Sequence, residues 1–423
     1  MGYRESLDYL YGLQRFGIKL GLENIRTLLT RLGHPERDFG ILHVGGSNGK
    51  GSVAATLAEI LVQAGYRVGL YTSPHLHSFT ERIRVNGTAI AEDEVAQLVA
   101  EIRSVADAVP ATFFEFTTAL ALLHFRRRQV DFVVLEVGMG GRLDATNAVT
   151  PRLSVITPIC RDHAEHLGGT LAAIAAEKGG IIKPGVPLVL GRQEPEALEV
   201  LLTRARQLAA PVLLCGRDFA PLPAVGGFSY RGPGLELAEL QPGLAGVHQH
   251  DNLSVALAAA GLLREQGVDL PEAALRRGVA QVCWPGRLEW WEGRRQVLLD
   301  GAHNEGGAKV LAAYLASLGV DGIRWVVALK EDKRPDDILG PLLPLVSALY
   351  CTVPAVESAV PAEELRRRGE AAGLAGSVHA TPAAALAAAL ADRRGGEIVL
   401  VAGSLFLVAA AREYLLNQES DRS

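Results

Sequence analysis

Cysteine is scarce in this chain. Its four residues (Cys160, Cys215, Cys283 and Cys351) stand singly among 423, with neither metal-ligand spacing nor the density of a disulfide framework. That argues against a disulfide-stapled secreted scaffold and a zinc ribbon, and fits buried thiols in a reducing compartment. A run of about 18 apolar residues is also missing, so no segment reads as a membrane-spanning helix. Arg4, Glu5 and Asp8 lie too near the amino terminus for a signal peptide. Nor is there an excess of one charge: 42 Lys and Arg face 47 Asp and Glu, a formal net charge of −5. Nucleic acid and membrane surfaces are therefore not expected partners, and the expected compartment is the cytoplasm. No internal repeat occurs, and no low-complexity segment beyond alanine-rich helices.

What is present is apolar mass and glycine. An apolar share of 48% with 21% charged residues describes a globular chain with ample core, and 423 residues call for two or three domains. The stretch that organises the rest is residues 39–61. Residues 41–44 form a short apolar run that fits a buried strand, and 53–61 fit a helix packed on a sheet. Between them lies GGSNGKGS, residues 45–52. Such a loop can turn its backbone N–H groups inward around an anionic phosphate chain, with the helix dipole adding to the attraction. Lys50 then supplies a point charge for the terminal phosphates, and the Ser52 hydroxyl can reach a magnesium ion. The spacing departs from the usual phosphate loop: only three residues separate Gly45 from Gly49-Lys50, and Gly51 intervenes before Ser52. A glycine-rich turn that binds nothing is the bland alternative; lysine among four glycines between strand and helix favours a nucleoside triphosphate.

Further signals lie at expected strand ends, where open α/β sheets place ligands. A second strand at 66–71 runs into Thr72-Ser73-Pro74-His75, where Ser73 is either a ligand to metal or phosphate or part of a Ser-Pro turn. Residues 81–87 alternate as a strand and close in an Asn-Gly turn. Helices are expected at about 92–108 and 115–128. Residues 131–135 read as an interior parallel strand carrying Glu136 at its carboxyl end. That placement fits a magnesium carboxylate, the alternative being a buried ion pair with an arginine. A strand at 153–157 leads to a cluster of two acids and two histidines, from which His163 stands out as a ligand or orienting group. Lys178, at the end of a helix over 170–178, reads by default as a solvated cation.

Residues 216–246 suggest an irregular or small β excursion, followed by helices at 251–265 and 271–281. Trp284-Pro285-Gly286-Arg287 then breaks the pattern as a hinge would. Strand–helix alternation resumes from 297 and predicts a smaller parallel-sheet domain, with Asp300 and His303 just past its first strand.

These motifs together resemble the folylpolyglutamate synthase/dihydrofolate synthase family, relatives of the Mur peptidoglycan ligases. The resemblance runs nearly end to end. It rests on VGGSNGKGS at 44–52, TSPHL at 72–76 with ERIRVNG at 81–87, and LEVGMGGRLDATN at 135–147. Asp162-His163, EKGGIIKP at 177–184, WPGRLE at 284–289, DGAHN at 300–304 and GSLFLV at 403–408 add to it. The segments at 72–87 and 135–147 are of the folate-ligase type, where the Mur enzymes differ. Ser47 stands where the family usually has Thr, and Gly180 where Ala is common.

The resemblance implies an α/β chain: a P-loop-containing, Mur-ligase-like domain with a parallel sheet over 1–285, and a smaller Rossmann-like domain over 286–423. It implies ATP phosphates at Asn48, Gly49, Lys50, Gly51 and Ser52, with magnesium held by Ser52, Ser73, Glu136 and His163. Lys178 matches a lysine carboxylated to a carbamate. Asn252, Arg287 and Asp300 match nucleotide contacts, which would put ATP between the domains, and Arg287 joins Lys50, Lys178 and His163 as catalytic candidates. The pterin side would include Phe113, Phe114, Glu115 and Asp144. The implied reaction joins L-glutamate to dihydropteroate or a reduced folate, in a monomer. A Mur-type ligase, a small-acid kinase and a nucleotide-driven binding module are the alternatives.

Overall fold

The computed structural model describes residues 2–16, 21–107, 109–161, 168–291, 296–354 and 358–420. Two compact units make up the chain. The first comprises residues 1–159, 164–243 and 249–283; the second comprises 160–163, 244–248 and 284–423.

In the first unit, α1 (Tyr3–Gly12) and α2 (Glu23–Arg31) precede β1 (Gly40–Gly45), α3 (Lys50–Gln63) and β2 (Val68–Tyr71). A hairpin of β3 (Ile83–Val85) and β4 (Thr88–Ala89) turns at Asn86 and Gly87, both at positive φ, as the Asn-Gly pair predicts. Next come α4 (Glu92–Val105), α5 (Phe113–Arg127), β5 (Phe132–Glu136), β6 (Leu153–Ile156), α6 (Leu171–Lys178), β7 (Leu188–Leu190), α7 (Pro195–Gln207) and β8 (Val212–Leu214). The eight strands form one sheet in the order β4-β3-β2-β5-β1-β6-β7-β8, parallel apart from the β2–β3–β4 end. β1 lies inside the sheet, between β5 and β6. The chain runs one way from β1 to β2 and back across β1 from β5 to β6, so the order reverses beside β1, the point at which such sheets bind ligands. Val44 pairs with Glu136 and Tyr71 with Leu135, which sets Glu136 level with the start of the glycine loop.

The β excursion expected at 216–246 is a three-stranded antiparallel sheet of β9 (Ala220–Ala224), β10 (Gly227–Gly232) and β11 (Leu235–Leu240). α8 (Val247–Glu265) begins four residues before the expected 251. α9 (Glu272–Gln281) packs on α3 so closely that a Cβ on Gly278 would stand 2.5 Å from Ile60 Cγ1. Only glycine fits that crossing.

The second unit contains β12 (Glu289–Trp290), β13 (Val297–Asp300), α10 (Glu305–Ala316), β14 (Gly322–Val327), α11 (Pro335–Leu342), β15 (Ala348–Cys351), α12 (Ala362–Ala371), β16 (Ala375–Val378), α13 (Pro382–Asp392), β17 (Glu397–Ala402) and α14 (Leu405–Ser420). Its sheet runs β12-β13-β17-β14-β15-β16, parallel except for β12. Trp325, Leu298, Val327 and Leu400 lie fully buried at its centre. The continuous apolar strands reflect helices on both faces.

Candidate active site

The loop from β1 to α3 is held from below and left open above. Gly46 (φ 132°) and Gly49 (φ 85°) adopt backbone that side chains avoid. A Cβ on Gly46 would fall on the Thr157 hydroxyl, and one on Gly49 would come within 2.5 Å of Asn252 Oδ1. Ser47 and Asn48 donate their N–H groups to the Pro158 carbonyl (3.1 and 3.3 Å), which anchors the loop to the end of β6. The helix N-cap is Gly49, with no side-chain cap. The N–H groups of Gly49, Lys50, Gly51 and Ser52 therefore have no protein acceptor among the described residues. Four open donors at a helix N-terminus suit phosphate oxygens. Lys50 Nζ rests on Ser47 O at 3.1 Å, over the same loop.

Around this loop stand three of the residues singled out from the sequence. Glu136 is buried at the end of β5, and its Oε2 accepts the Ser73 N–H at 3.0 Å. That bond brings the end of β5 and the loop after β2 together. Lys178 is buried rather than solvated: Nζ donates to Gly46 O at 2.8 Å, across 132 residues of sequence. Asn252 donates through Nδ2 to Gln249 Oε1 at 2.8 Å, with Oδ1 against Gly49. His163 lies outside the described residues.

The donors that would hold magnesium are hydroxyl and carboxylate oxygens from Ser52, Ser73 and Glu136, the hard-oxygen set this ion takes. The anchored carboxylate at a strand end fits such an ion. A carbamate on Lys178 fits as well, because its nitrogen would keep one N–H for Gly46 O.

The segment after β5 folds around Asp144. Its Oδ2 accepts the Met139 N–H (2.9 Å), and its Oδ1 accepts the Thr146 N–H (3.0 Å) and the Thr146 hydroxyl. Since Thr146 donates to Asp144, His43 Nε2 on β1 donates to Thr146 Oγ1 (2.9 Å). Burial pushes the Asp144 carboxyl up despite these donors. Burial, helped by Lys183, lowers His43 to about 3, so the ring stays neutral. Gly180 backs onto this segment: a Cβ there would overlap the Arg142 backbone, which accounts for glycine where the family commonly has alanine.

Packed against the same segment, Phe113 and Phe114 open α5. Phe113 stacks on Tyr11 (centroids 5.7 Å), and Phe114 lies 6.0 Å from Tyr71 and covers Gly138. Glu115 closes a capping box with Thr112, its Oε2 accepting the Thr112 N–H (2.8 Å) and hydroxyl (2.9 Å).

In the second unit, Asp300 organises its own neighbourhood. Oδ2 accepts the Leu288 N–H and Oδ1 the Ala302 N–H, both at 2.9 Å. Arg287 Nη1 donates to Gly286 O (3.2 Å) and covers Gly301. His303 Nδ1 donates to Gly301 O at 2.7 Å.

Residues 44–207 match the Mur ligase middle domain, and residues 286–405 match the Mur ligase, glutamate ligase domain. Fold and site thus define an ATP-dependent ligase built from Mur ligase domains. The chain is 36% identical to the dihydrofolate synthase/folylpolyglutamate synthase of Bacillus subtilis, over 98% of this chain and 99% of that protein. It is 35% identical to the folylpolyglutamate synthase of Lacticaseibacillus casei, over 99% of this chain and all of that one. Among solved structures, Escherichia coli FolC in complex with DHPP and ADP superposes with a TM-score of 0.92 at 33% identity, covering 99% of both chains. The bifunctional Yersinia pestis enzyme complexed with AMPPNP and Mn ion gives 0.89 at 31% identity, covering 98% of both. The chain belongs to the folylpolyglutamate synthase/dihydrofolate synthase family.

No described helix is long and apolar enough to cross a membrane.

Proposed function

We propose that this chain forms an amide between L-glutamate and the carboxylate of dihydropteroate or a reduced folate, using ATP, as a cytoplasmic monomer. The observation that carries this reading is the open donor loop of Gly49 to Ser52 beside Lys50 and Glu136 at adjoining strand ends. A carboxylate oxygen attacks the γ-phosphorus, the bond to the β–γ bridging oxygen breaks, and ADP leaves. The glutamate amine then attacks the acyl carbon, expels phosphate and loses a proton. Carboxylate oxygen is a poor leaving group and phosphate a good one, so the first step makes the second feasible.

The protein's part is positioning and charge neutralisation. The loop amides and Lys50 hold the phosphate chain, with Asn48 shaping the loop. Ser52, Ser73, Glu136 and His163 are the proposed holders of magnesium, which when bound spreads positive charge over the phosphate oxygens. Lys178 is the proposed carbamate, Asn252, Arg287 and Asp300 the proposed nucleotide contacts. Asp300 keeps a further lone pair on each oxygen for a ribose hydroxyl. Phe114 is the proposed stacking wall for the pterin, with Phe113, Glu115 and Asp144 fixing its shape.

One assay separates this from the alternatives: ADP release with ATP, pterin substrate and labelled glutamate, each omitted in turn. Ligation requires all three. ADP release without glutamate would favour a kinase, and release independent of pterin and glutamate a binding module.

A further inference from the structure

Arg82 closes the short 3-10 turn Phe79–Arg82, between the loop that follows β2 and strand β3. The local pattern suggests an ordinary strand-edge arginine, yet the side chain is 91% buried (9% exposed). Nε donates to His75 Nδ1 at 2.8 Å, and the guanidinium lies 5.4 Å from the centre of the Phe113 ring. Both Nη groups lack a hydrogen-bond partner, and no carboxylate pairs with them among the described residues. The nearby acids are committed elsewhere. Glu81 accepts the N–H groups of Leu76, His77 and Ser78 (2.8–2.9 Å), and Glu136 Oε2 accepts that of Ser73. A guanidinium this buried with no direct ion pair is costly, and burial lowers its proton affinity. The Nε–His75 bond fixes the plane of the group, so the Nη pair is already set to meet two oxygens.

Two observations locate what it would meet. Phe113 beneath the guanidinium belongs to the aromatic wall at the start of α5, and Glu136, whose charge acts on Arg82, stands at the edge of the phosphate loop. A group held by the Nη pair would lie where wall and loop meet.

We infer that Arg82 binds the reacting carboxylate of the pteroate-type substrate and so determines specificity on the acyl side of the reaction. The inference rests on the proposed function.

The test is binding of dihydropteroate, and separately of a reduced folate monoglutamate, to the full chain by fluorescence titration without nucleotide, followed by steady-state kinetics. For Arg82→Gln, affinity for both compounds falls by at least about 30-fold, the loss of charge-assisted hydrogen bonds. Arg82→Lys keeps the charge but loses the fork, and falls about tenfold. KM for ATP and for glutamate stays within about twofold of wild type, and KM for both pterin substrates rises in parallel. Thermal melting checks that each variant is folded, and Arg82→Lys serves should the glutamine variant not fold. Unchanged affinity in both variants would overturn the inference while leaving the proposed function standing. So would a loss confined to the glutamylated compound, since that would place an α-carboxylate at Arg82. Failure of wild type to bind either pterin would remove the proposed function, and this inference with it.

Discussion

The chain makes the same turn twice, from a sheet strand into a helix, and treats the exposed donors differently. After β1 the loop ends in Gly49, no side chain caps α3, and four N–H groups stay open. After β13 the turn spends part of its donors on its own side chains. Asp300 takes the N–H groups of Leu288 and Ala302, and Asn304 caps α10 through Gly307 N–H at 2.9 Å. A helix N-terminus binds an anion only when its own chain leaves the donors unspent. Topology alone therefore does not make a phosphate site.

The sharpest way to break this contrast is Lys50→Ala. Its ammonium contacts only Ser47 O among the described residues, so the fold should stand while ligase turnover falls on the order of 10³-fold, read by ADP release. Asp300→Ala should act in the reverse sense. It strands two buried N–H groups, and urea unfolding should show a loss of about 2–4 kcal/mol, whatever the effect on turnover. Gly49→Ala should fall between the two. Left-handed backbone and the approach to Asn252 should cost about 1–2 kcal/mol of stability, and nucleotide affinity measured calorimetrically should fall at least about tenfold.

At neutral pH the smallest effect is that of His43 on β1, which appears only as the pH falls. His43 is held at about 3 in the folded chain, below its ordinary value near 6.5, chiefly by burial. Between those values the unfolded chain binds a proton that the folded chain does not. Its contribution is full above about pH 6.5 and is lost as pH falls toward 3, by at most about 1.4 kcal/mol per pH unit. Unfolding free energies of wild type and His43→Gln, measured from pH 7 to 4.5, should diverge in slope across that window. Parallel slopes would show that His43 carries no such linkage.

Much of this is legible in the sequence. The strand–glycine–helix run, the acid at the end of β5 and the Asn-Gly hairpin are local signals, and each appears where its pattern puts it. The unreadable parts depend on partners far away in sequence. Lys178 looks like a solvated helix end until Gly46 O is found at its ammonium. Asp300 gives no local sign that Leu288 N–H, twelve residues away, holds one of its oxygens in place. Arg82 gives no local signal, because its neighbours alternate like a strand and burial of a charge leaves no signature in sequence. Strand β16, with sequence AGSV, has no strand pattern because its residues are small and half exposed; tertiary pairing with β15 makes it a strand.

The most direct test is amide hydrogen exchange of the full chain with and without ADP and magnesium. The account predicts slowed exchange at residues 49–52, where the donors gain phosphate acceptors. Unchanged exchange there at saturating nucleotide would contradict it.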